Sequence, residues 1–328
     1  MAKTVLGVDI GSNSIKLALC SGGSVKKVAT AQTPMNLVKD GWVTSTESMS
    51  ELIQQTMKEA GIRANAAAIV LPQESSYVRT VTMPVMTAEQ LKLNIPYEFS
   101  DYIVGELKDY SFDYATIPQT GEAAEEQKME LLTAAAPNAL LEEARSMLRM
   151  AGMKMVGAAP AECAYISMIR RMEEASPEKN REYCFIDLGY QDIRMYLFNG
   201  EKHMATRQLE AGLGNLDSVI ADAMGVDLYL AHTYFLTNFD NVQNSESAVN
   251  AYGNITVELL RSLNFYRFSN PDSQLSDVWL CGGGAVIEPL RAAIAETLDM
   301  NIHQAGELLP EVAEDPHSYI RAVGITME

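Results

Sequence analysis

Apolar residues follow strand-like and helix-like spacings along the chain, and one strand pattern occurs twice. The segments Val8–Leu19 and Ile186–Leu197 align with a constant offset of 178 positions. Each consists of an apolar run that ends in Asp-x-Gly, a short polar turn and a second apolar run, which predicts a β-hairpin. Two such hairpins half a chain apart predict two related lobes, and their tips are candidate ligand contacts because ligands prefer the cleft between lobes.

Helical spacing is clearest over Glu47–Ala60, which we expect Gly61 to end. Residues Thr87–Gln90 form a capping-box pattern that opens another helix, and we expect Pro96 to interrupt that helix. The remaining predicted elements of the first half are strands at Ala67–Leu71, Tyr110–Ile117 and Met129–Ala136, a solvated tip at Gln119–Gln127, helices at Asn138–Met150 and Pro160–Glu174, and a linker at Ala175–Arg181.

The second half has fewer strand signals and longer helical stretches. Its strand Asp277–Cys281 is followed by three glycines and a helical pattern, an order typical of phosphate or nucleotide sites. The other predicted elements are helices at Asn215–Met224, Val249–Phe268, Val286–Leu298 and Tyr319–Ile325, and a polar loop at Asn238–Ser247.

Composition narrows the class of protein. A length of 328 residues predicts about two domains. With Lys+Arg 25 against Asp+Glu 43, the net charge of −18 argues against a nucleic-acid partner and against direct binding to anionic lipid. No signal peptide or membrane span is expected, because no apolar run is long enough. The cysteines have no CxxC spacing and are expected to be buried, reduced thiols; they are Cys20, Cys163, Cys184 and Cys281.

The turn of the first hairpin offers the donors that a phosphate needs. A glycine lets backbone N–H groups approach an anion, and hydroxyl, amide and ammonium groups add donors. The aspartate at the end of each hairpin's first strand would repel phosphate unless Mg²⁺ lies between them, so Asp9 and Asp187 are candidate magnesium ligands through water. Ordinary turn chemistry is the alternative for either copy alone. The candidate phosphate contacts of the first hairpin are Asp9, Gly11, Ser12, Asn13, Ser14 and Lys16.

Glycines in the second half mark two further candidate contacts. Three consecutive glycines, Gly282–Gly284, allow a flat ligand to approach the main chain, and the helix start near Ala285–Ile287 favours anions. A tight strand-to-helix turn is the alternative. Gly212, Gly214 and Asn215 precede a predicted helix, but their G-x-G spacing lacks the third glycine of a dinucleotide site.

The order of these motifs along nearly the whole chain resembles the actin-like ATPase superfamily, which includes actin and sugar kinases. The resemblance implies an α/β fold of two related lobes, each a ribonuclease-H-like domain, with a small α/β insert in the first lobe. In that superfamily the first hairpin is phosphate-1, the second is phosphate-2 and the strand-GGG-helix segment is the adenosine motif. The nucleotide would therefore be ATP or ADP with Mg²⁺.

Within the superfamily the sequence is most similar to the PilM family of type IV pilus assembly proteins, relatives of the division protein FtsA. Three stretches carry the likeness: Gly7–Lys16, Met83–Thr87 and Leu280–Ala285. The family implies a cytoplasmic protein at the inner face of the cell membrane, which it reaches only through partners. Its main partner would be the cytoplasmic N-terminal peptide of a PilN-like bitopic membrane protein, held in a groove between the first lobe and the insert. Pilus assembly ATPases and a second copy of the chain are further candidate partners.

Methionines are plentiful, 18 in all, and are candidates for lining an adaptable peptide groove. Filling of the core is the alternative. The three singled out are Met35, Met83 and Met86.

The superfamily's second phosphate motif maps onto Asp187, Gly189 and Gln191. Here the sequence departs from active ATPases, because bulky Tyr190 and acidic Asp192 lie in the same turn, and this predicts slow or absent hydrolysis. Asp187 and Glu162 are the candidate catalytic residues, with Glu162 near the place of a water-orienting group. A solvated helix glutamate is the alternative for Glu162.

The resemblance divides the chain into a first lobe, an insert, a connecting helix, a second lobe and a closing helix. A scaffold whose nucleotide state tunes partner binding is the leading hypothesis. An FtsA-like, filament-forming ATPase and a small-molecule kinase are the alternatives. The predicted boundaries are 1–82 for the first lobe, 83–152 for the insert, 153–178 for the connecting helix, 179–310 for the second lobe with a subdomain at about 211–275, and 311–328 for the closing helix.

Overall fold

Two five-stranded sheets with the same strand order form the framework of the protein. The structure, a computed structural model, describes residues 4–117, 128–175, 182–209 and 211–327. The strands are β1 Thr4–Ile10, β2 Ser14–Ser21, β3 Ser24–Gln32, β4 Val38–Lys39, β5 Trp42–Val43, β6 Ala66–Leu71, β7 Tyr77–Pro84, β8 Tyr110–Ile117, β9 Lys128–Pro137, β10 Lys154–Pro160, β11 Glu182–Leu188, β12 Ile193–Asn199, β13 Lys202–Leu209, β14 Asp277–Cys281 and β15 Asn301–Gln304.

Helices accompany both sheets, and short 3₁₀ turns lie at Ile95–Phe99, Phe239–Asn244 and Gly283–Val286, among others. The α-helices are α1 Thr46–Glu59, α2 Ala88–Asn94, α3 Asn138–Met150, α4 Ala161–Ala175, α5 Leu213–Met224, α6 Leu228–Leu236, α7 Glu246–Ser269, α8 Glu288–Thr297 and α9 Ile320–Gly324. Among the described residues, no helix combines the length and apolarity that crossing a membrane requires.

Taken from corresponding edges, the strand order is β3-β2-β1-β6-β10 in the first sheet and β13-β12-β11-β14-β15 in the second. In each sheet, the first two strands in chain order, β1 and β2 or β11 and β12, form an antiparallel hairpin. The fourth strand in chain order, β6 or β14, pairs in parallel with the first. The predicted duplication of the hairpin therefore extends to the whole sheet.

The chain packs as two units. The first comprises Met1–Lys179, Glu201–Met204 and Arg321–Glu328, and the second comprises Asn180–Gly200 and Ala205–Ile320. The start of α9 thus belongs with the second unit, while the helix from Arg321 onward packs in the first.

The core of the first unit forms where β1, β2 and β6 are covered by α1 and α3. Inward positions of the strands, such as Leu6 and Leu17, and inward positions of α1, such as Met49 and Ile53, are fully buried. Met147 and Leu148 of α3 belong to the same cluster. Burial of such side chains stabilises the fold by about 1.5–3 kcal/mol each.

A smaller core lies under the antiparallel sheet β7-β9-β8. It is built around Phe99 and Leu131, with Met83 also buried. Thr87 caps α2 with the predicted capping box, and Pro96 lies in the 3₁₀ turn that follows α2, as expected. The boundary of the insert at 83–152 stays a prediction; in the structure the sheet begins at Tyr77, and α3 packs with the larger core.

Several sequence predictions are confirmed closely, among them α1, α3, α4 and β14. The predicted tip Gln119–Gln127 and the linker after Ala175 lie outside the described residues. The helix predicted from Val286 begins only at Glu288, because a 3₁₀ turn occupies Gly283–Val286. The loop Asn238–Ser247 also contains a 3₁₀ turn, and α6 was not predicted.

Candidate functional site

The first hairpin brings its candidate residues together at one tight turn. Gly11 N–H donates to the Ser14 carbonyl at 3.1 Å, and Thr33 Oγ1 donates to Gly11 O at 2.9 Å. A Cβ on Gly11 would lie 2.9 Å from Ser14 O, so this turn requires glycine. Lys16 Nζ lies 3.4 Å from Ser14 O, above the turn. Ser12 and Asn13 are half-buried at the tip.

Asp9 is the penultimate residue of β1, lies opposite Lys16 and is 4% exposed. Its Oδ2 accepts hydrogen bonds from Arg321 Nε at 3.1 Å and Nη2 at 3.0 Å. Arg321 lies on α9, more than three hundred residues further along the chain. A guanidinium therefore neutralises the charge of Asp9 in this structure, and the contact of Asp9 with Mg²⁺ stays a prediction.

Close backbone packing seats α9 beside β1. A Cβ on Gly7 would lie 1.7 Å from Ala322 O, and one on Gly324 would lie 2.2 Å from Ala164 O. Two glycines thus let α9 touch both β1 and α4. This packing holds Arg321 at the hairpin, and sequence analysis missed the residue because nothing local in the sequence marks it.

Glu162 lies in the first turn of α4 and is 1% exposed. Gln73 Nε2 donates a hydrogen bond to its Oε1. The alternative of a solvated surface glutamate is therefore wrong, whereas a catalytic role for Glu162 stays a prediction.

The second hairpin repeats the first in register, with Asp187 opposite Arg194. Asp187 is 6% exposed. In the turn, Asp192 Oδ2 pairs with Arg194 Nη2 at 2.5 Å and accepts from Gln208 Nε2 at 2.8 Å. The charge of Asp192, on which the prediction of slow hydrolysis partly depends, is thus paired with Arg194, and the hydrolysis rate itself stays a prediction.

Tyr190 packs within the second unit. A Cβ on Gly214 would lie 3.2 Å from its ring, and the ring meets His232 edge-on at a centroid distance of 5.4 Å. Burial, and then the neighbouring carboxylate of Asp217, raise the pKa of Tyr190 to about 12. The bulk of Tyr190 is therefore taken up by α5 and α6.

Asp217 anchors this group of side chains. It is 1% exposed, and its Oδ2 lies 2.8 Å from His232 Nδ1. The sequence alone could have indicated that Asp217 is buried, because it falls among Leu213, Leu216 and Ile220 on the inward face of α5. A charged residue in an apolar stripe indicates a buried polar partner.

Gly212 and Gly214 seat α5 on the second hairpin. Gly214 N–H donates to Tyr190 O at 2.8 Å, and Leu213 N–H donates to Gly189 O at 3.0 Å. A Cβ on Gly212 would lie 2.4 Å from Tyr190 O. Asn215 Oδ1 accepts from Gly212 N–H at 3.4 Å, as a cap. Packing explains both glycines, and nucleotide contacts of Gly212, Gly214 and Asn215 stay predictions.

The three glycines after β14 have different surroundings. Gly282 has φ +82°, and a Cβ there would lie 2.2 Å from Asp187 Oδ1; a Cβ on Gly284 would lie 2.7 Å from Leu188 Cβ. Around Gly283, by contrast, no atom lies within 4 Å of a built Cβ. Ala285 is fully buried. Gly283 is therefore the member of the run that leaves space for a ligand.

Metal ligands are sparse in the part of the chain that the structure describes. No group of three or more His, Cys, Asp or Glu side chains there could hold a metal ion. Arg321 Nε and Nη2 both contact Asp9 Oδ2, so a magnesium ion held by that oxygen would compete with the guanidinium.

Two sheets of identical order, each opening with an Asp-x-Gly hairpin, define an actin-like ATPase fold. The profile of the type IV pilus assembly protein PilM family matches residues 7–307. The chain belongs to this family.

Solved structures agree with this fold. A PilM–PilN type IV pilus biogenesis complex is similar with a TM-score of 0.82 and 22% identity, over 98% of this chain and 97% of that one. The ethanolamine utilization protein EutJ from Carboxydothermus hydrogenoformans is similar with a TM-score of 0.63 and 12% identity, over 100% of this chain and 90% of that one.

Proposed function

We propose that the protein is a nucleotide-binding scaffold of type IV pilus assembly, which binds the cytoplasmic peptide of a PilN-like membrane protein. The family match over residues 7–307 carries this proposal. The similar structure of a PilM–PilN complex supports the choice of partner. Through that partner, the protein would work at the cytoplasmic face of the membrane.

The insert offers an apolar surface for such a peptide. Five large apolar side chains between positions 85 and 104 are more than half exposed, whereas Leu91, Ile95 and Phe99 between them form the small core. Exposed apolar groups at this density are typical of binding surfaces. The five are Val85, Leu93, Tyr97, Tyr102 and Val104.

Tyr102 is held in place by the Arg79 guanidinium, which lies 4.2 Å from the ring centroid. A fixed aromatic side chain loses little conformational entropy on binding. Of the methionines suggested for the groove, Met83 is buried in the core, whereas Met35 is 84% exposed and stays a candidate.

Fluorescence anisotropy with a labelled N-terminal peptide of the PilN-like protein from the same organism tests the proposal. We expect the Leu93→Ser/Tyr97→Ser variant to bind at least about tenfold more weakly, since buried apolar anchors dominate interface energies. The matched control is Leu228→Ser/Tyr229→Ser on α6, where both side chains are also more than half exposed. Equal weakening by both variants, or no binding by the unaltered protein, would contradict the proposal.

The nucleotide part of the proposal rests on the two hairpins and on Gly283. The first hairpin offers a glycine turn beside Lys16, and the second unit offers open space at Gly283 next to the strand that pairs with Asp187. ATP or ADP is the nucleotide that this superfamily implies. Mg²⁺ would neutralise the charge of the phosphates, as Arg321 neutralises the charge of Asp9 in this structure.

Hydrolysis of ATP, and the part of Glu162 in it, can be tested separately from nucleotide binding. Tyr190 and Asp192, from which slow hydrolysis was predicted, have partners in the second unit. Release of phosphate from ATP, compared between the unaltered protein and Glu162→Gln, measures the role proposed for that glutamate. A rate that is the same in both would exclude Glu162 as a water-orienting residue.

A further inference from the structure

Positive charge is concentrated at one end of the first unit, although the chain as a whole is strongly acidic. The segments 21–28, 54–66 and 146–156 hold six Lys or Arg residues and a single carboxylate, Glu59. All six basic side chains are exposed. They are Lys26, Lys27, Lys58, Arg63, Arg149 and Lys154, here called the basic end.

Strand direction places these segments together. Strands β1, β6 and β10 run in parallel, so their first residues lie at the same end of the sheet. Lys154 opens β10 opposite Ala66, and α1 ends at Glu59 shortly before β6. The turn between β2 and β3 closes at this end too, because Ser21 pairs with both Thr4 and Ser24.

A pocket of about 400 Å³ opens among these residues. Met57, Ile62 and Ala151 provide its buried apolar lining, and Lys58 and Arg63 add charge. A pocket that joins an apolar lining to two cations matches a phosphate group attached to a less polar body. Its volume is within the range of small-ligand sites.

The carbonyl groups at the end of α1 have a cationic partner. The last carbonyls of a helix carry partial negative charge. Lys27 Nζ donates to Ala60 O at 3.2 Å and to Gly61 O at 2.7 Å, which neutralises the end of α1. Lys27 therefore has a structural task, and the other five cations are available to a ligand.

We propose that the basic end is a direct contact with the membrane and binds anionic phospholipid headgroups. The inference deepens the proposed function, which places the protein at a membrane, but departs from the expectation that partners alone provide this contact. It also orients the first unit, with the basic end toward the lipid and Asp9 at the far end of β1.

The net charge of −18 does not prevent this contact. Salt screens charges beyond a Debye length of about 8 Å at physiological ionic strength. The seven residues of β1 span about 20 Å at ~3.3 Å per residue. Lipid at the basic end therefore responds mainly to the local cations.

Sedimentation with vesicles tests the proposal without peptide or nucleotide, so its failure would leave the proposed function standing. The vesicles are phosphatidylcholine alone or phosphatidylcholine with one third phosphatidylglycerol. We expect binding only to the anionic vesicles, weakening at high salt. Lys58→Glu/Arg63→Glu and, separately, Lys26→Glu/Lys154→Glu should each lower the partition coefficient about tenfold or more.

The matched control is Lys39→Glu/Lys92→Glu, which changes net charge by the same amount at exposed lysines outside the basic end. It should bind within about twofold of the unaltered protein, since distant charges are screened. Circular dichroism checks that all variants fold. Equal losses in the control, or no binding of the unaltered protein to anionic vesicles, would overturn the proposal and turn attention to an acidic protein partner.

Discussion

The two hairpins share a register but are held by different means. In the first, Asp9 is bound by one guanidinium from α9. In the second, the turn rests on α5 through two backbone hydrogen bonds, Asp192 is paired with Arg194, and Gly282 lies against Asp187. The carboxylate of the shared pattern is thus held by an ion pair in the first hairpin, whereas in the second a glycine packs directly against it.

This difference indicates which hairpin can respond to a ligand. An ion pair with a partly exposed arginine can be exchanged for another charge, because water and phosphate compete with it. A backbone packed at van der Waals contact has no comparable alternative state. We therefore expect adjustment at the first hairpin and rigidity at the second.

The largest effect is expected at the packed side. Gly282→Ala places a methyl group 2.2 Å from Asp187 Oδ1 at φ +82°. Overpacking and left-handed strain together should lower the free energy of unfolding by about 3 kcal/mol or more. Urea denaturation measures this loss. Gly283→Ala, with open space around it, is the matched control and should change stability by less than about 1 kcal/mol; equal effects would contradict the packed description.

A smaller effect is expected at the ion pair. Arg321→Gln leaves the buried Asp9 carboxylate without its guanidinium, which should cost about 2 kcal/mol, since the arginine side chain is 22% exposed. Asp9→Asn should cost less, because the arginine can turn toward water. Urea denaturation of both single variants and the double variant forms a cycle. Strictly additive losses would show that the pair is not coupled.

The smallest effect concerns alkaline pH. Because the pKa of Tyr190 is raised to about 12 in the folded protein, mainly by burial, folding favours its neutral form. That stabilisation is present below the ordinary tyrosine pKa near 10 and is lost as the pH rises toward 12. Stability measured between pH 10 and 12 should fall less steeply in Tyr190→Phe. An unchanged slope would indicate that Tyr190 is solvated.

Much of the fold follows from local patterns in the sequence. The hairpins, α1, α3 and the strand before the glycines were predictable because apolar spacing and capping residues act over a few positions. Strands such as β10 and β15 were missed, since their residues alternate weakly and their pairing is decided by distant neighbours.

The candidate site was predictable only in part. The Asp-x-Gly turns and the glycine run were visible as motifs. The partner of Asp9 was not, because Arg321 is brought to it by the packing of α9 on Gly7. Likewise, no spacing rule distinguishes Gly283 from its neighbours; only the surrounding atoms show that Gly282 and Gly284 serve packing.

Calorimetric titration with Mg-ATP tests whether the open space at Gly283 is part of a nucleotide site. The proteins to compare are the unaltered chain, Gly283→Glu, and the control Gly253→Glu, which adds the same side chain at an exposed helical glycine with open space around it. We expect Mg-ATP to bind the unaltered chain and the control, and to bind Gly283→Glu at least about tenfold more weakly, because the variant loses space and adds negative charge. Equal binding by all three proteins, or no binding by the unaltered chain, would contradict the proposed site.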